Sequence, residues 1–169
     1  MPAYAAEIGI GNAAIGILFG LGAGSIVVTQ ILTLRWARGG NRMNWLALMN
    51  LWFVAAFAVM LMTPHVSLII AILGIGIAQV LGGMGEAVLG AVRTPLTSDL
   101  APDELMGRYH GLATMVFQIC MGLANVIGGF VMRHSLSLVW PIPLVISIAG
   151  VLGTLRIRHP IPAHLTLSS

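Results

Sequence analysis

The 169-residue chain contains no lysine, one cysteine and only five acidic residues. A soluble domain carries about 25% charged residues to wet its surface, whereas here the charged residues make 8% against 58% apolar. With a mean hydropathy of +0.98, the apolar excess has to face something other than water. That excludes an ordinary soluble domain and points to a lipid bilayer as the surroundings. The single Cys120 excludes an intrachain disulfide; midway along an apolar run, it reads as a small hydrophobe. A net charge of +3 and a pI near 10.0 do not signal a nucleic-acid partner. All the basic residues are arginines set singly at the ends of apolar runs, not clustered on one face. His65, His110, His134, His159 and His164 fall in loops, at run ends or in the tail. Neither a mid-membrane histidine relay nor one metal site is expected from them, and no cofactor is implied. The N-terminus has no basic region and no small-residue cleavage site, so a secretory signal peptide is not expected.

What the chain does have is five apolar runs, each near the ~20 residues that a spanning helix needs. They lie at about residues 12–34, 44–62, 66–92, 109–132 and 140–155. The expected fold is all-α: a polytopic membrane bundle of five helices over residues 1–156, followed by a short tail at 157–169. The connections support this division. Residues 36–43 form a short basic loop and Thr63-Pro64-His65 a tight turn. Pro95 is expected to close the third helix, with a surface turn from Asp99 to Leu105. Pro102 with Asp103 and Glu104 behind it suits a helix start, acids near the N-terminal dipole. Gly107 is expected to allow a bend before Arg108, where the fourth helix enters the membrane. Pro141 suits the first turn of the fifth.

Arginine placement sets an orientation. If the 36–43 loop is cytoplasmic, so are Arg35, Arg38, Arg42, Arg93, Arg108, Arg156 and Arg158, and only Arg133 is outside. That is the positive-inside bias. It puts the N-terminus outside and the C-terminus in the cytoplasm, with a bacterial inner (plasma) membrane the expected location. An outside N-terminus with five spans reads as though an earlier helix were missing.

Small residues let helices approach closely in lipid. Gly16, Gly20 and Gly24 repeat at four-residue steps in the first run, and Gly74, Ala78, Gly82 and Gly90 fall on the same spacing in the third. Both stripes are expected to serve bundle packing. Gln79, Glu86 and Arg93 stand seven apart, close to two helical turns, and so share one face. An acid at the bilayer centre costs about 2.5–3.5 kcal/mol on insertion scales, so such groups face a bundle interior or a wet cavity. Two roles are open to Glu86: a protonatable or cation-binding group, or an ion-pair anchor for Arg93, Arg108 or a loop arginine. Gly111, Gln118 and Asn125 form a second seven-step stripe on the fourth helix, where the two amides are candidates to line a polar cavity. Gln30 and Asn50 read as interhelical hydrogen-bonding groups.

Residues 82–111, GGMGEAVLGAVRTPLTSDLAPDELMGRYHG, resemble the loop between the tenth and eleventh helices of major facilitator superfamily transporters. Many drug-efflux members there carry G-E-x-x-x-x-P, then D-L-A-P, then R-G-R-Y-x-G. Glu86, Asp99, Leu100, Ala101, Pro102, Gly107, Arg108, Tyr109 and Gly111 match, while Met106 replaces the first arginine and Pro95 comes slightly late. WARGGNR at 36–42 is similar to a worn copy of the family's G-x-L-x-D-R-x-G-R-R loop without its acid; no Asp or Glu lies between Glu7 and Glu86. The Gly111 to Gly129 stretch resembles the family's antiporter motif, with Ala124-Asn125 where Gly-Pro would stand.

The resemblance covers about residues 9–156 and implies the eighth to twelfth helices of a secondary transporter of small solutes, drug efflux included. Such a protein works by alternating access between two halves. It further implies a cavity lined by the first, third and fourth helices here (Gln79, Glu86, Gln118, Asn125), with the second and fifth facing lipid. Arg93, Asp99, Pro102, Gly107, Arg108 and Gly111 would then form the cytoplasmic gating loop. The expected partners are lipid, an unknown small-molecule substrate, and either a separate N-terminal half or a second copy; alone, the chain is expected to be inactive. Two other classes stay open, a small membrane helper or scaffold protein and an intramembrane enzyme. Against the enzyme, Ser25 has no mid-membrane histidine to partner it, and Asp99 and Asp103 fall in the loop.

Overall fold

The computed structural model describes residues 2–36 and 42–157, which contain helices and turns and no strand. Six α-helices follow in order: α1 (Pro2–Glu7), α2 (Asn12–Trp36), α3 (Arg42–Met62), α4 (Leu68–Leu100), α5 (Met106–His134) and α6 (Pro141–Ile157). Arg38 of the basic loop and Arg158, His159 and His164 of the tail lie outside the described residues. Helices α2 to α6 are each long and apolar enough to cross a membrane. They are apolar all round: Ile17, Ile69, Val126 and Ile146, on four different helices, are each at least 65% exposed. A helix apolar on every side needs an apolar surrounding. The chain is therefore an integral membrane helix bundle.

Two boundaries differ from expectation. α4 does not end at Pro95 but runs through it to Leu100. Proline removes one backbone donor and crowds the preceding turn, yet the turn holds. The carbonyl left without its helical donor is that of Ala91; Thr97 and Ser98 bond back to other carbonyls of the turn, those of Arg93 at 2.9 Å and Thr94 at 3.2 Å. The helix stops where Ala101, directly before Pro102, turns extended (φ −89°, ψ 132°), as a residue preceding proline prefers. Asp99 consequently sits in the last turn of α4, not in a loop. Next comes a 3₁₀ turn, Asp103–Leu105, with Pro102 at its N-cap. Gly107 is not a bend; it lies in the first turn of an uninterrupted α5. Thr63–His65 forms the expected tight turn, and Pro141 opens α6.

α4 is the centre of the bundle, packing on α2, α3 and more sparsely on α5, while α6 packs on α3. The close approaches use glycines, but not the expected ones on α2. Gly16, Gly20 and Gly24 face open space, as does Gly82 on α4. α4 instead meets the Leu18, Gly22 and Ser25 face of α2. A Cβ on Gly83 would lie 2.7 Å from the Gly22 carbonyl oxygen and against the Ser25 hydroxyl. Ser25 bonds across the crossing to the Val80 carbonyl at 3.2 Å. Gly20 and Gly22 point about 200° apart around a helix of 3.6 residues per turn, so the four-residue glycine spacing picked the wrong side. α3 and α6 cross at Gly150, where a Cβ would come within 2.5 Å of Asn50 Oδ1. Asn50 also reaches Thr154 Oγ1 at 3.4 Å, as an interhelical group should.

One end of the bundle is capped by α1, an element the hydropathy pattern does not reveal. Gly9 (φ 87°) turns the chain back from α1 into α2, a conformation that glycine adopts without strain. Tyr4, 1% exposed, bonds Thr63 through its hydroxyl at 2.9 Å. Its ring meets that of Trp140 edge-on at 4.9 Å between centroids. Met60, Ile75 and Ala78 complete this core. The Trp140 Nε1–H is buried with no acceptor among the described residues.

α5 is the exception. None of its residues is buried. It joins α4 near their linked ends, through the Arg93 guanidinium 4.5 Å over the Phe117 ring and a 3.0 Å hydrogen bond between Ser98 and His110.

Candidate functional site

Around the middle of α4 a cleft of about 360 Å³ opens between α2, α3 and α4. α4 contributes Gln79, Gly82 and Glu86, which follow one another at three and four residues and so line one face. α2 contributes Phe19, Gly22 and Ile26, and α3 contributes Phe53, Phe57 and Met60. The Phe53 and Phe57 rings stack with centroids 6.3 Å apart, and Phe57 stacks in turn on Trp140 at 6.4 Å. The aromatic wall of the cleft is thereby tied to the capped end of the bundle. Room for the cleft comes from glycine: Gly82 has no heavy atom near the position of a Cβ.

Glu86 is uncovered by the bundle and forms no hydrogen bond or ion pair among the described residues. In particular it does not anchor Arg93, whose guanidinium lies on the Phe117 ring instead. Gln79 is half-buried, with its side chain packed on Gly22. The structure therefore places Gln79 and Glu86 together in one cleft. It does not bring Gln118 and Asn125 there. Both amides are exposed on α5, which contributes nothing to the cleft, while α3, expected to face lipid, supplies its aromatic wall. The cause is packing: α4 lies directly against α3, and α5 leans away.

No protein-family model, curated protein or solved structure matches the chain.

The residues expected to form a gating loop are strung along the α4–α5 connection. Arg93 is half-buried, Asp99 exposed in the last turn of α4, and Pro102 at the head of the 3₁₀ turn. Arg108 is exposed near the start of α5, with Gly107 and Gly111 in open surroundings beside it. Among the described residues no cluster of three or more His, Cys, Asp or Glu is placed to hold a metal ion. Sequence reasoning missed Phe19, Phe53 and Phe57. The available signal was the four-residue spacing of Phe53 and Phe57, which puts two rings on one helical face.

Proposed function

We propose that the chain forms the eighth to twelfth helices of a major facilitator superfamily transporter that moves small solutes by alternating access. The observation that carries this reading is the cleft itself, where an apolar bundle sets an amide and, two turns further along α4, a carboxylate with no partner among the described residues. A carboxylate at such a depth is expensive and finds its use facing a substrate path. The α4–α5 connection, with Asp99, Pro102, Arg108 and Gly111 at the positions of the family's loop motif, supports the same reading. The chain runs from an outside N-terminus to a cytoplasmic C-terminus, because that orientation leaves one arginine outside against seven inside. A bacterial plasma membrane is the setting proposed.

The bare α5 bears on the mechanism. Each unsatisfied polar group in hydrocarbon costs several kcal/mol, and Gln118 and Asn125 have no wall opposite them among the described residues. Transport therefore requires further helices, from an N-terminal half or a second copy. The test is uptake by proteoliposomes of ethidium, glucose and benzoate, one cation, one neutral solute and one anion. The chain alone is expected to match empty vesicles. Co-reconstituted with helices one to seven of a family member, it is expected to take up one of the three in a saturable way. Saturable uptake by the chain alone would refute the need for a second wall. A verified complex that moves none of the three would refute the transporter reading.

A further inference from the structure

We propose that the uncovered side of α5 is an interface between two copies of this chain, related by a twofold axis along the membrane normal, with Gln118 and Asn125 of each copy hydrogen-bonded to the same amides of the other. The dimer needs only a helix bundle in a bilayer and stands whether or not the chain transports.

α5 has three sides. One, with His110 and Phe117, meets α4. A second carries Leu112, Val116, Ile119, Leu123 and Phe130, all exposed, and lipid suits it. The third runs through Gly111, Met115, Gln118, Gly122, Asn125 and Gly129 at alternating four- and three-residue steps. That is the spacing of a seam along which two helices wind together. All six residues are exposed, and nothing lies within 4 Å of a Cβ at any of the three glycines. Neither amide forms a hydrogen bond among the described residues. Lipid cannot cover this side, because an acyl chain offers no donor or acceptor and an unsatisfied amide in hydrocarbon is costly. The glycines of α2 differ in this respect. Gly16, Gly20 and Gly24 also face open space, but no amide stands among them, so lipid can cover them. What covers α5 follows from the amides. Each both donates and accepts, so an amide is its own complement. Two copies inserted by the same rule share one orientation, and about an axis along the membrane normal their α5 helices run parallel. Each seam residue then meets its own copy at the same depth, as an isologous interface requires. A buried asparagine pairs with itself in this way in parallel two-stranded coiled coils. Gly122 and Gly129, flanking Asn125 along the seam, let the backbones come close enough for those bonds. A different protein would have to present two amides seven residues apart at matching depth; a second copy does so necessarily.

The whole chain is placed in liposomes over a range of protein-to-lipid ratios, and two measurements test the seam. In a Cys120→Ala background, Met115→Cys lies on the seam and Val116→Cys, the next residue, about 100° round the helix on the lipid side. Mild oxidation should couple Met115→Cys to a second copy at least about tenfold faster than Val116→Cys, because a disulfide needs Cβ atoms about 3.5–4.5 Å apart. Energy transfer between labelled copies, followed as the protein is diluted in lipid, gives the strength of association. Gln118→Leu combined with Asn125→Leu should weaken it by about tenfold or more, whereas Leu123→Ala should stay within about threefold of the parent. The paired leucines replace exposed side chains, so the packing of each single copy is untouched. Equal coupling at both cysteines, association indifferent to the paired leucines, or a chain that stays monomeric at the highest density would each overturn the inference. Neither measurement reads uptake: failure here leaves the further helices of the proposed function to an N-terminal half, and a dimer that moves no solute leaves the seam standing.

Discussion

Replacing Gly83 by alanine puts one methyl group where α2 and α4 touch. Its nearest neighbours would be the Ser25 hydroxyl, the Gly22 carbonyl oxygen at 2.7 Å and Ile26 Cγ1 at 3.3 Å. The hydroxyl can rotate, but the carbonyl is backbone, so the two helices must separate. Overpacking of this kind costs about 1–3 kcal/mol. Separation also breaks the Ser25 bond to the Val80 carbonyl, and interhelical hydrogen bonds in membranes average about 0.6 kcal/mol. Alanine returns up to about 1 kcal/mol through its better helix propensity. With the full return the net loss is about 0.6–2.6 kcal/mol, a shift of about 3- to 80-fold in the unfolding equilibrium. Gly20→Ala is the matched control, since nothing lies within 4 Å of a Cβ there, and it should be neutral or stabilising by up to about 1 kcal/mol. Unfolding by SDS in mixed micelles, followed through tryptophan fluorescence with the buried Trp140 as reporter, measures both. A Gly20→Ala variant as unstable as Gly83→Ala would refute the assigned packing face.

Tyr4→Phe removes the bond to Thr63 and should raise hydrogen exchange over residues 2–10, loosening α1 by about 0.5–1.5 kcal/mol; unchanged protection would mean that ring packing alone holds the cap. Phe117→Leu removes the ring beneath Arg93 and should broaden the α4–α5 distance measured between spin labels at Thr94 and Leu112, since few other contacts join these helices; an unchanged distribution would refute that tether. For topology, single cysteines are placed in a Cys120→Ala background. His65→Cys, exposed in the turn after α3, should react with an impermeant reagent in intact cells. Glu104→Cys, exposed in the turn before α5, should react only after permeation. The opposite pattern would invert the orientation.

The five spans were plain in the sequence because hydropathy over about 20 residues reports a bilayer crossing without any knowledge of neighbours. The seven-residue steps of Gln79, Glu86 and Arg93 placed those residues on one side of α4 for the same reason: helical period is local. Whatever depended on a second helix was harder to read. Glycines at four-residue steps mark a flat face but not what lies opposite, so the spacing of Gly16, Gly20 and Gly24 points to contacts that Gly22 and Ser25 make. Gln118 and Asn125 share a face of α5, yet nothing in their spacing says that α5 stands off from the cleft. Pro95 suggests a stop because its local effect is strong, yet a proline costs the helix one bond and does not by itself end it. α1 is too short for a hydropathy window, and its docking through Tyr4 rests on Thr63 and Trp140, both far away in sequence.

The proposed function requires the α2–α3–α4 cleft, apolar but for Gln79 and Glu86, to be a hydrated path inside the membrane and not a lipid-filled groove. Gly82→Cys tests it directly, since residue 82 lines the cleft with open space at its Cβ and a thiol reacts with methanethiosulfonates as a hydrated thiolate. The comparison is Ile77→Cys, also on α4 and 54% exposed but on the face expected to meet lipid. With Cys120 replaced by alanine, a charged methanethiosulfonate should modify residue 82 at least about tenfold faster than residue 77, and Glu86→Gln should slow that reaction for a cationic reagent. Equal, slow modification at both positions would contradict the account.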